Sequence, residues 1–148
     1  MKLLIINGPN LNILGERDQS LYGTKSLTDI NNILAKEAKD RGIEVSFFQS
    51  NDEGKIIDFI QENYTQADGI IINPGALTHY GLSLRDSLSD TKLPIVEVHL
   101  SNIYAREDWR AKSVISPIAR GQISGFGWRG YIMAFRLFAA ELRGETWE

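Results

Sequence analysis

Hydrophobic positions along the chain follow two periodicities. Short apolar runs are typical of strands buried in a parallel sheet, and they predict strands over 2–7, 69–73 and 93–102. We also expect strands over 43–48 and 122–124. Apolar residues spaced three and four apart predict helices after Ser26, after Ser50, over 78–89 and over 131–142. This alternation predicts an α/β fold. We expect a doubly wound, five-stranded parallel sheet of flavodoxin-like order 2-1-3-4-5 with helices on both faces.

Polar residues mark two of the predicted helix starts. Ser26 with Asp29, and Ser50 with Glu53, have the spacing of capping boxes. The length of 148 residues, with no linker or repeat, predicts one domain over 1–148.

Ligands of open parallel sheets bind beyond the carboxyl ends of the strands, and this rule sorts the polar residues. Predicted strands one, three and four run into the polar segments 7–10, 73–79 and 99–102. Two long polar loops, 8–25 and 103–118, border the same edge, and loops of this length are often functional. Both histidines of the chain therefore lie at the predicted ligand edge.

Glu97 and His99 interrupt the apolar run of the fourth predicted strand. Residues two apart in a strand point to the same face, and burying a carboxylate and an imidazole is costly unless they pair or reach a cavity. The pattern indicates a proton-transferring histidine oriented by a carboxylate; the alternative is a buried structural ion pair. His79 follows a strand and is either a ligand-binding residue or a polar residue of the next helix.

The two long loops carry basic and aromatic side chains. The first has Arg17 and Tyr22, and a guanidinium beside a phenol favours the phenolate, which can act as a base. The second has Arg106 and Arg110, which are suited to bind a carboxylate or phosphate. The alternatives are a packing aromatic in the first loop and a solvated charged turn in the second. We expect a solvated turn for the acidic residues 107–108.

Composition narrows the class of protein. The net charge of −3, without a strongly basic segment, argues against nucleic acid as a partner. With no cysteine and two separated histidines, we expect no disulfide and no metal site. The first apolar run is too short for a signal peptide or a membrane span, so we expect a cytoplasmic protein. The glycines of 125–130 match GxGxxG, but no βαβ unit follows them, and we interpret them as a turn.

Several longer motifs cover essentially the whole chain in order. They are Asn7-Gly-Pro-Asn-Leu-Asn12, Arg17 through Tyr22-Gly23, Phe48-Gln-Ser-Asn51-Asp-Glu53-Gly54, Asn73-Pro-Gly-Ala76 with His79, Arg85-Asp86, Glu97-Val-His-Leu-Ser-Asn102, Tyr104-Ala-Arg106 and Gly121-Gln-Ile-Ser-Gly125. On these residues the chain resembles the type II 3-dehydroquinate dehydratases. Members often have Arg-Glu-Pro where this chain has Arg17-Asp18-Gln19, and loss of that proline is expected to loosen the loop.

The resemblance implies an anti elimination of water from 3-dehydroquinate, through an enolate, to give 3-dehydroshikimate without metal or cofactor. It implies that Tyr22, as a phenolate stabilised by Arg17, removes the proton alpha to the ketone. His99, oriented by Glu97, is expected to protonate the departing hydroxyl. Asn10 is expected to help position a water that steadies the enolate.

The resemblance also implies the binding residues and the assembly. The substrate carboxylate is expected on the backbone amides of Leu100 and Ser101. The substrate hydroxyls are expected on three side chains: Asn73, His79 and Arg110. Asp86 matches a family residue that reaches the site of a neighbouring subunit, and we expect a homododecamer, a tetramer of trimers. The 17–22 loop is expected to act as a lid.

Two other functions stay open on the sequence alone. One is a different cofactor-free lyase or isomerase of a small polyhydroxy acid. The other is a non-catalytic binding module of flavodoxin-like fold.

Overall fold

The computed structural model describes residues 1–145 of the chain. Within them, five strands pair in parallel in the order β2-β1-β3-β4-β5. They are β1 (Lys2–Asn7), β2 (Glu44–Gln49), β3 (Gly69–Asn73), β4 (Ile95–His99) and β5 (Gly121–Ser124). The predicted α/β class and the flavodoxin-like order 2-1-3-4-5 are therefore confirmed.

Five α-helices lie in the described part of the chain. They are α1 (Gln19–Tyr22), α2 (Leu27–Asp40), α3 (Glu53–Asn63), α4 (Leu82–Asp90) and α5 (Arg129–Leu142). No helix among residues 1–145 is long and apolar enough to cross a membrane.

Side-chain alternation along the strands divides the core into two layers. On one face of the sheet, Leu3, Ile5 and Val98 pack with buried side chains of α2 and α5. On the other face, Leu4 and Ile6 pack with buried side chains of α3 and α4. Because helices cover both faces, the strand ends are where the sheet is accessible to a ligand.

The first predicted capping box is confirmed. The Ser26 hydroxyl accepts from the Asp29 amide at 3.1 Å, and the Asp29 carboxylate accepts from the Ser26 amide at 3.0 Å. The strand predicted over 93–102 is shorter than expected, because β4 ends at His99. The chain leaves the sheet there and carries the next residues beyond its edge.

The second predicted capping box is wrong. Asp52, not Ser50, caps α3, and its carboxylate accepts from the amide of Gly54 at 2.9 Å. The Ser50 hydroxyl instead accepts from the Asp52 amide at 3.0 Å. Glu53 accepts from the Leu84 amide at 3.1 Å, so it contributes a cap to α4 rather than to its own helix.

The helix predicted over 78–89 is also wrong at its start. A 3₁₀ helix (Gly75–His79) follows β3, and α4 begins only after Gly81. A Cβ at Gly81 would lie 2.7 Å from the Leu77 carbonyl oxygen, so the chain turns at the residue without one. The break places His79 ahead of α4 rather than in it. The first long loop also contains a helix that the sequence pattern does not predict, α1.

Candidate active site

A cavity of about 120 Å³ lies at the carboxyl ends of β1, β3 and β4. Both long loops contribute to its wall, as the sequence predicts. The predicted site residues that line it are Asn10, Arg17, Tyr22, Asn73, His79, His99, Leu100, Ser101 and Arg110. Glu97 lies behind His99, and Asp86 lies elsewhere on the surface.

Glu97 and His99 form a buried pair on one face of β4. Nε2 of His99 lies 2.7 Å from Oε1 of Glu97, and the residues are 5% and 0% exposed. Burial alone would raise the pKa of Glu97, but His99 and the neighbouring hydroxyls Ser116 and Thr78 lower this pKa to about 2. Glu97 is thus ionised at neutral pH. Because a carboxylate only accepts hydrogen bonds, Nε2 of His99 carries a proton.

Three hydroxyl groups surround the Glu97 carboxylate. Thr78 donates to Oε1, and Ser116 donates to Oε2 at 2.5 Å. The Ser113 hydroxyl lies 2.9 Å from Oε1 and 3.0 Å from Oε2. Together with His99, these donors satisfy a buried charge that would otherwise be costly.

His79 lies on the cavity wall at the end of the 3₁₀ helix that follows β3. Its Nδ1 is 2.8 Å from the carbonyl oxygen of Lys112. Trp109 meets the ring edge-on, with 5.1 Å between centroids. Since a carbonyl oxygen only accepts, Nδ1 of His79 is protonated and Nε2 is the nitrogen that Lys112 does not engage.

Tyr22, the last residue of α1, lies close to two guanidinium groups. Nη2 of Arg17 donates to the Tyr22 hydroxyl at 3.0 Å, and Cζ of Arg17 lies 3.8 Å from the ring centroid. Cζ of Arg106 lies 5.4 Å from the same centroid. Both guanidinium groups therefore place positive charge beside the Tyr22 ring at the cavity wall.

The start of α1 is capped by an acidic residue, Asp18. Asp18 accepts from the Ser20 amide at 3.0 Å and from the Ser20 hydroxyl at 2.6 Å. Gln19 is the first residue of the helix, the position at which proline is favoured. The Asp18 cap supplies order at this point. That the loop is looser without proline stays a prediction.

A buried tyrosine joins the ends of β1 and β3. The hydroxyl of Tyr131 donates to Oδ1 of Asn7 at 2.5 Å and accepts from Nδ2 of Asn73 at 2.9 Å. Oδ1 of Asn73 accepts from the Gly75 amide at 3.1 Å. These bonds orient the Asn73 amide and leave it one N–H for a ligand. Burial raises the pKa of Tyr131 far above its ordinary value, so its hydroxyl stays protonated.

Asn10 adopts the left-handed backbone conformation just beyond β1, with φ at 69°. Asn51, beyond β2, accepts from the Asn10 amide at 2.9 Å. Gln49 donates to the Gly8 carbonyl and to Oδ1 of Asn51, each at 3.2 Å. The end of β2 therefore braces the turn that presents Asn10 to the cavity.

The glycine turn beyond β5 supports the end of β4. The Gly125 amide donates to the His99 carbonyl at 3.2 Å, and the Gly127 amide donates to the Leu100 carbonyl at 3.0 Å. In a trans peptide the N–H and C=O point in opposite directions. These two bonds therefore aim the amides of Leu100 and Ser101 away from the glycine turn. The GxGxxG match serves as a support for the strand end.

Two arginines of the second long loop complete the cavity wall. Nη1 of Arg106 donates to the Ser101 hydroxyl at 3.1 Å. Nε of Arg110 donates to Glu107 at 2.6 Å, and Nε of Arg106 lies 3.9 Å from the same carboxylate. Glu107 is exposed, as expected of a charged turn, but it also orients both arginines.

Asp86 does not reach the cavity of its own chain. It lies on α4 with its side chain 74% exposed, 3.5 Å from Nη1 of Arg85.

The residues that sequence reasoning missed are those that hold other site residues. They are Thr78, Ser113, Ser116, Trp109, Asn51 and Tyr131. Asn51 stands in one of the motifs quoted above, but no role was assigned to it. The sequence signal of the others was position alone, since most lie in the long loops or beside a strand end. Within residues 1–145, no three of His, Cys, Asp and Glu gather to form a possible metal site.

Proton-donating and proton-accepting side chains around one polar cavity place the protein among acid–base enzymes. The family model of class II dehydroquinases matches residues 1–139. The 3-dehydroquinate dehydratase of Herpetosiphon aurantiacus is 56% identical over 138 residues, covering 93% of this chain and 96% of its own. That of Bacillus subtilis is 50% identical over 143 residues, with 97% of each chain covered.

A crystal structure also matches. The type II dehydroquinase of Butyrivibrio crossotus has a TM-score of 0.89 and 48% identity, covering 92% of this chain and 95% of that one. The chain therefore belongs to the class II dehydroquinase family, the hydro-lyases that act on 3-dehydroquinate in the shikimate pathway. The resemblance seen in the sequence motifs is confirmed.

Proposed function

We propose that the cavity dehydrates 3-dehydroquinate by an acid–base division between two pairs of side chains. The observation that carries this proposal is that the Arg17–Tyr22 pair and the Glu97–His99 pair meet at one cavity. Each pair joins a proton-transferring group to the charge that stabilises its working form.

Tyr22 acts as the base. Its oxygen, as phenolate, removes the proton alpha to the ketone, and the electron pair of that C–H bond forms the enolate. Arg17, already bonded to the oxygen at 3.0 Å, stabilises the phenolate. A positioned base of this kind contributes about 10²–10⁴-fold to the rate.

The enolate then expels the hydroxyl on the neighbouring carbon, and His99 as imidazolium protonates it to water. The Glu97 carboxylate holds Nε2, so Nδ1 is the nitrogen that gives up the proton. Asn10, whose backbone amide donates to Asn51, positions a water against the enolate oxygen. The products are 3-dehydroshikimate and water, and both proton transfers balance without an external cofactor.

The substrate is bound at two kinds of group. Its carboxylate lies on the amides of Leu100 and Ser101, which the glycine turn orients. Its hydroxyls bind to three side chains: Asn73, His79 and Arg110. The segment 17–22 closes over the bound substrate as a lid, which carries the base into place and excludes water.

The proposed assembly is a homododecamer, a tetramer of trimers, in which residues 1–148 form one catalytic domain in the cytoplasm. Three observations support contacts between subunits at α4. Asp86 faces out of its own chain with 74% of its side chain exposed. Tyr80, two residues before the helix, and Leu82, its first residue, are 63% and 62% exposed. Large apolar side chains gathered near one site are typical of interfaces. A dodecamer of 16.6-kDa chains has a mass of about 200 kDa, which light scattering after size exclusion measures.

The test is an assay of enone absorbance after purified protein is added to 3-dehydroquinate, with and without a chelator. We expect enone to form at the same rate in both. Rapid chelator inhibition would contradict the cofactor-free mechanism. Consumption of another polyhydroxy acid but not of 3-dehydroquinate would favour a different lyase or isomerase. Tight binding without turnover would favour a binding module.

A further inference from the structure

The two histidines of the cavity are held at different ring nitrogens. The Lys112 carbonyl contacts Nδ1 of His79 at 2.8 Å, and the Glu97 carboxylate contacts Nε2 of His99 at 2.7 Å. Both partners only accept hydrogen bonds. A neutral imidazole carries its single proton on the nitrogen that faces such an acceptor.

The segment 112–116 contributes to both contacts, directly at His79 and through Glu97 at His99. Its first residue supplies the carbonyl for His79. The amide of Val114 donates to the Thr78 carbonyl at 2.7 Å, which fixes the segment against the residue before His79. Its Ser113 hydroxyl lies on the carboxylate of Glu97. The segment therefore contacts the chain just before one histidine and the carboxylate behind the other.

Ser113 has its hydrogen-bonding capacity filled in one arrangement. Its oxygen accepts from the amides of Ile115 at 3.0 Å and Ser116 at 2.9 Å. Both lone pairs are thus used, and its one proton is directed to Glu97. The Thr78 hydroxyl lies 2.9 Å from the same oxygen and donates to the carboxylate as well. The hydroxyls leave the carboxylate one orientation, with Oε1 toward His99.

We propose that the segment 112–116 positions the two histidines in opposite tautomers, Nδ1–H at His79 and Nε2–H at His99, with Ser113 as its positioning residue. His79 then offers Nε2 as an acceptor for a substrate hydroxyl. His99 keeps Nδ1 as the nitrogen that takes up and delivers a proton. The tautomers are argued from the hydrogen bonds alone. Their consequence for catalysis rests on the proposed role of His99 as the acid.

The experiment is nitrogen NMR of the ¹⁵N-histidine-labelled protein without substrate, at a pH where both rings are neutral. The chain has only two histidines, so His79→Ala and His99→Ala assign the signals. We expect one ring with a protonated Nδ1 and the other with a protonated Nε2. The same tautomer at both, or the assignments reversed, overturns the proposal, and this wild-type measurement needs no Ser113 variant to fold.

Ser113→Ala tests the positioning residue itself. We expect the His99 signals to shift because the Glu97 carboxylate loses one of the donors that orient it. His79 should keep its pattern, because the Lys112 contact does not use the hydroxyl. We expect kcat to fall about 10-fold, the lower end of what loss of an orienting partner costs at a metal-binding histidine, with KM within about twofold. Ser113→Thr, which keeps the hydroxyl, should restore the wild-type His99 pattern.

Ser89→Ala, a serine of α4 outside the cavity wall, is the matched control and should change neither spectrum nor kcat. A folded Ser113→Ala protein with unchanged His99 signals and unchanged kcat removes Ser113 from the proposal. The wild type could show opposite tautomers while His99→Ala still expels hydroxyl at the normal rate. The positioning of the two histidines by segment 112–116 would then stand. That result would reject only the acid role of His99.

Discussion

Arg17 contacts Tyr22 in two ways at once: its Cζ lies 3.8 Å from the ring centroid, and its Nη2 donates to the hydroxyl at 3.0 Å. Negative charge that forms on the phenol oxygen is met by a donor already in place, which is more effective than a donor that must reorganise. Both residues belong to the 17–22 segment. Under the proposed mechanism, Tyr22 and its counter-ion therefore reach the substrate together when that segment closes.

Replacing Tyr22 by Phe should lower kcat strongly and leave product binding within about twofold, because the ring keeps its packing while the proposed base is lost. The expected loss in kcat is about 10²–10⁴-fold. Enone absorbance gives kcat, and calorimetric titration gives the product affinity. Tyr64→Phe, outside the cavity, is the control. Normal turnover by Tyr22→Phe would exclude Tyr22 as the base.

Replacing His99 by Ala should slow loss of hydroxyl more than exchange of the alpha proton with solvent. Under the proposed mechanism, the variant keeps Tyr22 to make the enolate but lacks the acid that completes the elimination. Deuterium incorporation into 3-dehydroquinate, followed by mass spectrometry beside enone formation, separates the two steps. His79→Ala should raise KM, with a smaller effect on the ratio of enone formation to exchange of the alpha proton. Equal losses in both steps would mean that His99 only positions substrate.

Glu97 should make the protein less stable in acid. Its folded-state pKa of about 2 lies below its ordinary value of 4.5, so its contribution to stability is full above pH 4.5 and is lost as pH falls toward 2. Between pH 6 and pH 3 the expected loss is about 2 kcal/mol. Urea unfolding of the wild type and of Glu97→Gln measures it, and the variant should lack this part of the pH dependence.

The exposed Glu62 provides the control for that measurement. Glu62→Gln removes a carboxylate on α3 that has no such buried surroundings, and it should keep the wild-type difference between the two pH values. If Glu97→Gln also kept the full difference, the acid sensitivity would come from other carboxylates.

The fold was predictable because its signals are local. The runs 2–7 and 69–73 are long enough to indicate buried strands, and Asn at the end of each marks the edge where ligands bind. The pairing of Glu97 with His99 was also predictable from the two-residue period of a strand. Each of these inferences needs only neighbours in the sequence.

The residues that support the site could not be predicted, because their partners are distant in the sequence. Ser113 is 16 residues from Glu97, and Tyr131 is 58 residues from Asn73. A serine in a loop or a tyrosine in an amphipathic helix has no pattern that names such a distant partner. The capping box predicted at Ser50 was wrong because Asp52, two residues on, caps α3 instead. Glu53 accepts from the distant Leu84 amide of α4, a contact that the local spacing does not reveal.

Replacing Tyr131 by Phe should destabilise the protein by about 1–3 kcal/mol, because Asn7 and Asn73 each lose a buried hydrogen-bond partner. The midpoint of urea unfolding should fall with an unchanged slope. Tyr104→Phe removes a hydroxyl that bonds Gln122 at the surface, from a residue that is 59% exposed, and should cost less than about 1 kcal/mol. Equal stability of the two variants would mean that the buried tyrosine contributes through its ring alone.

Replacing Gly8 by Ala should damage both stability and turnover. A Cβ there would lie 2.7 Å from the carbonyl carbon of Pro74, nearer still to its oxygen, and backbone atoms cannot turn aside as a flexible side chain would. Either the Asn10 turn or the Asn73 turn must move, at a cost of about 1–3 kcal/mol. Gly121→Ala is the matched control, since no atom lies within 4 Å of its Cβ position.

The Gly121 variant should fold and turn over as the wild type does, because its added methyl meets open space at the start of β5. Urea unfolding and enone assays of both variants compare the two glycines directly. A Gly8→Ala protein with wild-type kcat would show that the close approach of the 8–10 and 73–75 turns is not needed to present Asn10 and Asn73. In that case the site would tolerate a shift of one of these turns, although Asn51 bonds to Asn10 and Tyr131 bonds to Asn73 in a single arrangement.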